Sequence, residues 1–581
     1  MLSLYNNIAA IHVFVVCAVF AWLFGGIRGE FLPPVMPWVT AFLLEAMVCF
    51  PQRHEGETTY DARTRVWKAM RRDPLVWVSL AFIVLLMVPF FNTGLCPACD
   101  YPKILTGADP KPPLPILPFC VSRIEHLNVV MWFVPALVAM VATKHALQKQ
   151  GKRTLLEMIV WNGFALAVLG VIQQAFEAPG PLWHDDLKGV YFFSTFGYPN
   201  MAADYFTTLF GIAVGLWRWN LEEVRRSEVS VSSHSSHSRS SSSRKSSAPA
   251  AVPSPAPAEA PSAAPAEAQS AAPAVDSPAP AVAMSGQTAS PAAGEASAGH
   301  HHHHHHHHSH RVDARPKRTG HFWRKHYLLI PSVFFYVAAL DTLSRAAVLL
   351  ATGLAIIFFL HTFICFFAKM KRAKRVKFGA LCVLVLAVIA VCAFFFMPED
   401  LQKEVDTINT SEVLDRVTGR GQYHVRVATQ IWKEHALFGV GGWGYKHFCL
   451  QYMTDKELRE IQKVGGINVH NDHLQFLAEH GIVGFGLLAT IVILLLAPLV
   501  NIWRALVASV RFIPTKEQPP QPIQIFVLPA PVFCILATSA ATFVHAFGDC
   551  PLRSPAVLTL LYVSLAAMDG FLPRLRKEKD E

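Results

Sequence analysis

Repeated apolar runs constrain the fold of this chain more than any other feature of its sequence. The chain has 581 residues, of which 52% are hydrophobic and only 16% charged, which excludes a soluble enzyme. Each run is long enough, or nearly so, to cross a bilayer as an α-helix. The twelve predicted spans are approximately 8–25, 36–50, 75–92, 128–143, 155–174, 202–218, 327–343, 346–368, 378–396, 481–503, 523–545 and 555–571. The sequence therefore predicts an all-α polytopic membrane protein with about 12 transmembrane helices.

Lysine and arginine are concentrated in alternate loops. They follow the second, fourth and eighth predicted spans, and they recur in the C-terminal tail. Because positively charged loops stay on the cytoplasmic side of a membrane, both termini are predicted to be cytoplasmic. The loop between the ninth and tenth spans, residues 397–480, is then a large external loop.

A long polar insertion separates the sixth and seventh predicted spans. Residues 226–318 are rich in serine, then in alanine, proline and serine, and contain nine consecutive histidines at 300–308. Such a composition cannot bury a core, so we predict a disordered cytoplasmic segment. The histidines can chelate metal, but low-complexity expansion is the favoured interpretation. The predicted organisation is helices 1–6 in 1–225, the insertion 226–318, helices 7–9 in 319–396, the loop 397–480, helices 10–12 in 481–571 and a tail at 572–581.

The end of the external loop carries an unusual group of polar residues. On a helix, His470, His473 and His480 would fall near one face, with Glu479 beside it. Polar side chains at membrane depth indicate a functional site by default. The alternative is a surface helix with solvated histidines. Metal binding is disfavoured, because the spacing of His470 and His473 differs from that of the common zinc motif HExxH.

Other polar residues are predicted at the same membrane face. Arginine suits phosphate oxygens, so Arg345 and Arg420 together would hold a diphosphate and stabilise its charge as it leaves. A histidine would accept or relay a proton, oriented by Asp549. The alternatives are that Arg345 snorkels, that Arg420 and Arg426 are solvated, and that Asp549 pairs structurally with Arg553.

The pattern His470-Asn471, nine residues and then Gly481-Ile482-Val483-Gly484 resembles the signature of the O-antigen ligase and polymerase superfamily. Four further segments resemble elements of that family: Phe196-Gly197-Tyr198-Pro199-Asn200, Thr342-Leu343-Ser344-Arg345, Gly419-Arg420 with Leu437-Phe438-Gly439-Val440-Gly441, and Asp549 with Pro551-Leu552. The resemblance covers roughly residues 190–220 and 327–570.

The chain departs from the family pattern at three points. Ala436 stands where the family usually has proline, the register that distinguishes Arg420 from Arg426 is ambiguous, and the low-complexity insertion is peculiar to this chain. The spacing to Gly439 favours Arg420.

The resemblance implies a GT-C-like, metal-independent glycosyltransferase at the periplasmic face of the bacterial inner membrane. Its donor would be a glycan on undecaprenyl diphosphate and its acceptor the lipid A–core. It implies no cofactor and no nucleic acid, while the oligomeric state is open. The expected catalytic residues are His470, Arg345, Arg420 and Asp549, and the expected substrate-binding residues are Arg426, Arg416, Asn471, Asn200 and Ser344.

Several alternatives remain at this point. The single long late loop favours a ligase over an O-antigen polymerase, which often has two comparable external loops. A protein O-oligosaccharyltransferase is a third possibility. A transporter of the same lipid-linked glycan should have paired broken helices or an internal repeat, and the sequence indicates neither.

Overall fold

The regular structure of the described residues is helical. The structure, a computed structural model, describes residues 6–26, 31–93, 114, 116–184, 192–240, 323, 325–369, 374, 376–380, 383, 422–464, 468–500, 502–503 and 528–572. Within these ranges the β-structure is limited to two isolated β-bridges, and there is no β-strand. The α-helices are α1 (Ile8–Trp22), α2 (Met36–Cys49), α3 (Thr59–Arg72), α4 (Pro74–Met87), α5 (Arg123–His145), α6 (Lys149–Ala175), α7 (Pro199–Ser240), α8 (Leu329–Asp341), α9 (Arg345–Lys369), α10 (Gln422–Glu434), α11 (Tyr445–Phe448), α12 (Asp455–Val464), α13 (Asp472–Leu496), α14 (Ala530–His545) and α15 (Pro555–Ala567).

Five stretches within the described ranges are long and apolar enough to cross a bilayer. They are Pro74–Phe91, Arg123–His145, Lys149–Ala175, Arg345–Phe367 and Asp472–Val500. Five shorter apolar helices accompany them: Ile8–Trp22, Met36–Cys49, Leu329–Asp341, Ala530–His545 and Pro555–Phe571. The chain is therefore a multi-pass, all-helical membrane protein. The count of twelve stays a prediction, since most of the ninth predicted span, 378–396, lies outside the described residues.

The helix that follows the external loop begins earlier than the sequence predicted. It starts at Asp472 rather than at Gly481, because Asn471 caps its first turn: Leu474 N donates to Asn471 Oδ1 at 3.0 Å. His470 therefore precedes the helix. The prediction that His470 shares a helical face with His473 and His480 is wrong in this respect. The loop after α2 also contains a helix, α3, where none was predicted.

Helix α15 lies at the centre of the membrane part. All of its residues are buried, as expected for a helix that is apolar on every side. It packs against α1, α5 and α14, and α13 packs against α4 and α10. Its start is fixed by Ser554, whose hydroxyl caps the first turn, followed by Pro555 at the first helical position.

A second apolar core fixes the segment between α10 and α13. It includes Val427 and Ile431 of α10, Tyr445 and Phe448 of α11, and Val469 next to His470. These residues are almost fully buried. This cluster is separate from the main core, and it packs around the residues just before α13 and against Ala478 of that helix.

The chain divides into two compact units. One comprises residues 1–227 and 319–581, and the other residues 228–318. In the second unit the structure describes the end of α7, as far as Ser240. The remainder of the predicted low-complexity insertion lies outside the described residues.

Candidate active site

Helix α13 is interrupted, and a segment of the preceding loop fills the interruption. Across the break, Ile482 N donates to Ala436 O (2.9 Å) and Val483 N to Leu437 O (3.1 Å). The carbonyls of Ala478 and Glu479 accept instead from Val440 N (3.1 Å) and Gly441 N (2.8 Å). Residues 436–441 thus take over two pairs of helical hydrogen bonds, which keeps the broken backbone satisfied at membrane depth.

Two glycines make this insertion possible. Gly481 has φ +63° and ψ −173°, a region that is essentially restricted to glycine. A Cβ at Gly481 would lie 2.2 Å from Leu437 O, and one at Gly439 would lie 2.3 Å from Glu479 C. The two glycine-containing motifs of the sequence, about 40 residues apart, are therefore two halves of one backbone contact.

The broken helix begins two residues after His470, the first residue of the His-Asn motif. His470 Nδ1 donates to Asp549 Oδ1 at 3.3 Å, and 38% of the His470 side chain is exposed. Its backbone φ is +54°, which is uncommon outside glycine and typical of functional sites when it occurs. Since the carboxylate only accepts hydrogen bonds, this contact places the proton on Nδ1 and leaves Nε2 as an acceptor.

Asp549 lies between α14 and α15 and is held by several donors. Tyr198 OH donates to both carboxylate oxygens, at 2.9 and 3.1 Å, and Asn200 Nδ2 donates to Oδ2. Cys550 N also donates to Oδ1, at 2.8 Å. Burial alone would raise the pKa of Asp549, but the hydrogen bond and charge of His470, with smaller contributions from His545 and Tyr198, lower that pKa to about 2. Asp549 is therefore ionised at neutral pH.

A short chain of side chains connects Asp549 to the start of α9. Ser344 Oγ donates to Asn200 Oδ1, and Ser344 Oγ accepts from Ala347 N at 3.3 Å in the first turn of α9. Arg345 is the first residue of that helix. The structure thus brings Ser344, Asn200, Asp549 and His470 together, and it places the residue next to Arg345 in the same network.

Arg553 belongs to a separate ionic cluster. Its Nη2 donates to Glu479 Oε2 at 2.6 Å, its Nε lies 3.8 Å from Asp472 Oδ1, and its guanidinium lies 4.6 Å from the centre of the Trp443 ring. These contacts, and not a pairing with Asp549, are the ones that the structure gives for Arg553. This cluster ties the segment just before α15 to the part of α13 that precedes the break.

The predicted arginines of the external loop have different positions. Arg426 on α10 is 47% exposed, and its Nη2 donates to both oxygens of Glu457, at 3.0 and 3.1 Å. Arg416 and Arg420 lie outside the described residues. His424 of α10 is buried, and its Nδ1 lies 2.9 Å from Tyr445 OH. Burial and the nearby charge of His470 lower the pKa of His424 to about 4, so the start of α10 is within electrostatic reach of His470.

Sequence reasoning did not single out two residues of this network. Tyr198 stands inside a recognised motif, but nothing in the motif indicates that its hydroxyl reaches Asp549. Asp204, on α7, pairs with His545 Nδ1 at 2.5 Å, and both side chains are buried. An ionisable residue inside a predicted span was the available signal for Asp204.

A largely apolar cavity of about 360 Å³ lies beside the ionic cluster of Arg553. Its walls come mainly from α5, α13 and α15, with Phe133, Phe476 and Leu561 among the lining residues. Asp472, Glu479 and Arg553 supply its polar groups. The cavity therefore offers an apolar wall adjoining a charged edge.

Residues 330–489 match the family model described as O-antigen ligase. This part of the chain is therefore similar to the O-antigen ligase family. The matched region contains Ser344, Arg345, the inserted segment 436–441 and His470 with the broken helix, whereas Tyr198, Asn200 and Asp549 lie outside it. A search of curated proteins gave no match. The match supports a function of the O-antigen ligase or polymerase type, a glycosyltransferase-like ligase activity, and partners that include a lipid-linked glycan and its acceptor.

Proposed function

We propose that this protein transfers a glycan from undecaprenyl diphosphate to the lipid A–core, without a metal, at the periplasmic face of the inner membrane. The observation that carries the proposal is the pairing of His470 with Asp549. Because the carboxylate of Asp549 accepts a hydrogen bond from Nδ1 of His470, Nε2 of the partly exposed ring is available to accept a proton. That proton would come from a sugar hydroxyl as the hydroxyl attacks the donor. The lipid A–core hydroxyl would be activated in this way.

Arg345 and Arg420 would bind the diphosphate of the donor. Arg345 follows Ser344, which is joined through Asn200 to Asp549, and it starts α9, whose N-terminus favours an anion. Arg420 precedes His424 by four residues, a reach of at most about 14 Å. Because His424 is electrostatically close to His470, this reach supports Arg420 as the second arginine.

The remaining groups would orient the reactants. Ionised Asp549 fixes the ring of His470 and stabilises the charge that the ring gains when it takes the proton. Asn471 would act mainly through its cap on α13, Asn200 through its hydrogen bond to Asp549, and Ser344 through its hydrogen bond to Asn200. The apolar cavity beside Arg553 would accommodate part of the isoprenoid chain.

The test is complementation of a cell that lacks the protein. Cells expressing H470A should accumulate polymer on undecaprenyl diphosphate and leave the lipid A–core uncapped. A matched control is H12Q, because His12 Nδ1 contacts Ile8 O at 2.8 Å within α1 and His12 has no role in the proposed chemistry or in the cavity. H12Q should restore a normal lipopolysaccharide ladder at equal protein level in the membrane.

Other results would redirect or reject the proposal. Full capping by H470A would reject the role of His470. If the null cell attaches a single repeat unit instead of none, the protein is a polymerase. A normal lipopolysaccharide profile with a missing protein-bound glycan would indicate a protein O-oligosaccharyltransferase.

A further inference from the structure

We propose that His470, Asp549 and Cys550 form a binding site for Zn²⁺, and that the bound ion inhibits glycan transfer. The inhibitory part of this inference rests on the function proposed above. Among the described residues, the ligand atoms of these three side chains lie within 4.8 Å of one another. They supply one nitrogen, one oxygen and one sulfur, which are the donor types that zinc prefers.

The spacing of the donors matches a tetrahedral zinc site on two of its three edges. Zinc bond lengths to nitrogen, oxygen and sulfur place neighbouring ligands about 3.3 to 3.6 Å apart. His470 Nδ1 lies 3.3 Å from Asp549 Oδ1, and Cys550 Sγ lies 3.4 Å from the same oxygen. Along the remaining edge, the ligand atoms of His470 and Cys550 lie within 4.8 Å of each other, and we expect side-chain rotation to shorten this separation when the ion binds.

Charge favours this ion in a largely buried position. The carboxylate of Asp549 and the thiolate of Cys550 together neutralise Zn²⁺, so the filled site carries no net charge. At present His470 N–H and Cys550 S–H both point at Asp549 Oδ1. One divalent cation would replace these two protons. The exposed part of His470 provides an entry path, and water takes the fourth position.

Binding of the ion redistributes the protons on its ligands. The Cys550 thiol releases its proton to solvent as the zinc–sulfur bond forms. Coordination through Nδ1 of His470 requires the proton on that nitrogen to leave, and the neutral ring then carries its proton on Nε2. The exposed nitrogen thereby changes from an acceptor to a donor. It cannot take the proton of an incoming hydroxyl, so transfer stops while the ion is bound.

The binding experiment uses the full chain in detergent with Co²⁺ as a spectroscopic probe. The nine histidines at 300–308 would bind the same ions, so they are replaced by serine in every protein compared. We expect a thiolate-to-cobalt absorption band that Zn²⁺ abolishes by displacement. The band should be absent in C550S. Loss of an outer-shell partner lowers metal affinity by about 10- to 100-fold, and loss of the direct ligand Cys550 should lower it by more.

The activity experiment uses the same proteins with a lipid-linked glycan donor. Zn²⁺ should inhibit the parent protein, and a chelator should restore full transfer. C550S keeps a hydroxyl donor next to Asp549. Measured against its own rate without metal, its inhibition should require at least tenfold more Zn²⁺ than that of the parent.

Three results would overturn the inference. These are the absence of a thiolate–cobalt band, equal Zn²⁺ inhibition of the parent and C550S, and a loss of activity on chelation. A thiolate–cobalt band that depends on Cys550, in a protein without transfer activity, would instead support the metal site and reject the proposed function.

Discussion

His470 is held in a backbone conformation that costs free energy for a residue with a side chain. Its φ of +54° falls in the left-handed region, which costs about 1 to 3 kcal/mol when the surroundings impose it. Leu343, next to Ser344 in its motif, and Trp443, two residues after the motif that ends at Gly441, share this feature, with φ +53° and +61°. Strained residues therefore occur in three of the segments that surround the candidate site.

Tyr198 is expected to act as a positioning residue through Asp549. Y198F removes the hydroxyl that donates to both carboxylate oxygens. Because a hydrogen bond to a charged group contributes about 1.5 to 3 kcal/mol, kcat should fall tenfold or more, while KM for the lipid-linked donor changes little. The control is Y336F, which removes a hydroxyl on α8 that lies 3.3 Å from Thr352 Oγ1 on α9. Equal kcat for the two variants would contradict this role.

Asp549 is expected to make stability depend on pH in the acid range. Folding lowers its pKa from 3.8 to about 2, so the carboxylate stabilises the folded state above pH 4 by about 2 kcal/mol, and this contribution is lost as the pH falls from about 4 to about 2. The apparent unfolding temperature of D549N should therefore lie below that of the parent at pH 7, and the difference should shrink toward pH 3. If the difference in unfolding temperature between D549N and the parent did not change with pH, the charge of Asp549 would not be the source of the stabilisation.

At the scale of elements, the site depends on the insertion of residues 436–441 into α13. The inserted segment brings α10 and α11 against the start of α13, next to His470, and the second apolar core stabilises this arrangement. Arg553 ties the start of α15 to the same break through Glu479. The position of His470 is thus set by elements far apart in the chain.

Substitution at the break should therefore be severe. In G481A the new Cβ meets a backbone oxygen at 2.2 Å, and the conformation itself costs about 1 to 3 kcal/mol, so the folded protein should nearly disappear from the membrane fraction. The control is G486A on the same helix, where a Cβ has no neighbour within 4 Å. It should be neutral or stabilising by about 0.5 to 1 kcal/mol. Normal amounts of active G481A would refute the proposed need for glycine.

At the scale of the whole molecule, the candidate site belongs to one compact unit. That unit comprises residues 1–227 and 319–581 and contains every site residue that the structure describes. The other unit, residues 228–318, has the low-complexity composition that predicts disorder.

Shortening the insertion should accordingly leave the enzyme intact. Deletion of residues 250–310 changes only the length of a polar connection, and each halving of such a loop alters its closure entropy by only about 0.6 kcal/mol. We expect unchanged unfolding temperature and unchanged glycan transfer in cells. The comparison is a chain in which the same residues are replaced by a Gly/Ser linker of equal length. If both variants reach the membrane but lose transfer, the insertion itself binds something that transfer requires.

The sequence by itself determined the helical, membrane-spanning class, the resemblance to a known family and the identity of the key motifs. Apolar runs long enough to span a bilayer form α-helices there, because a helix satisfies its own backbone hydrogen bonds. The His-Asn and Gly-x-x-Gly spacing shows the resemblance to the O-antigen ligase family without any structure. The glycine motifs were visible as well, but not their purpose. Neither Gly439 nor Gly481 carries local information about a partner about 40 residues away.

Only the tertiary structure decided which side chains meet. Asn471 was predicted to bind substrate, yet its oxygen caps α13, and this cap places His470 before the helix rather than on its face. Asp549 was found from its motif, but Tyr198 reaches it from 351 positions away in the chain. Such long-range pairings depend on how whole helices pack, and packing is a property of the assembled core that no local pattern of residues records.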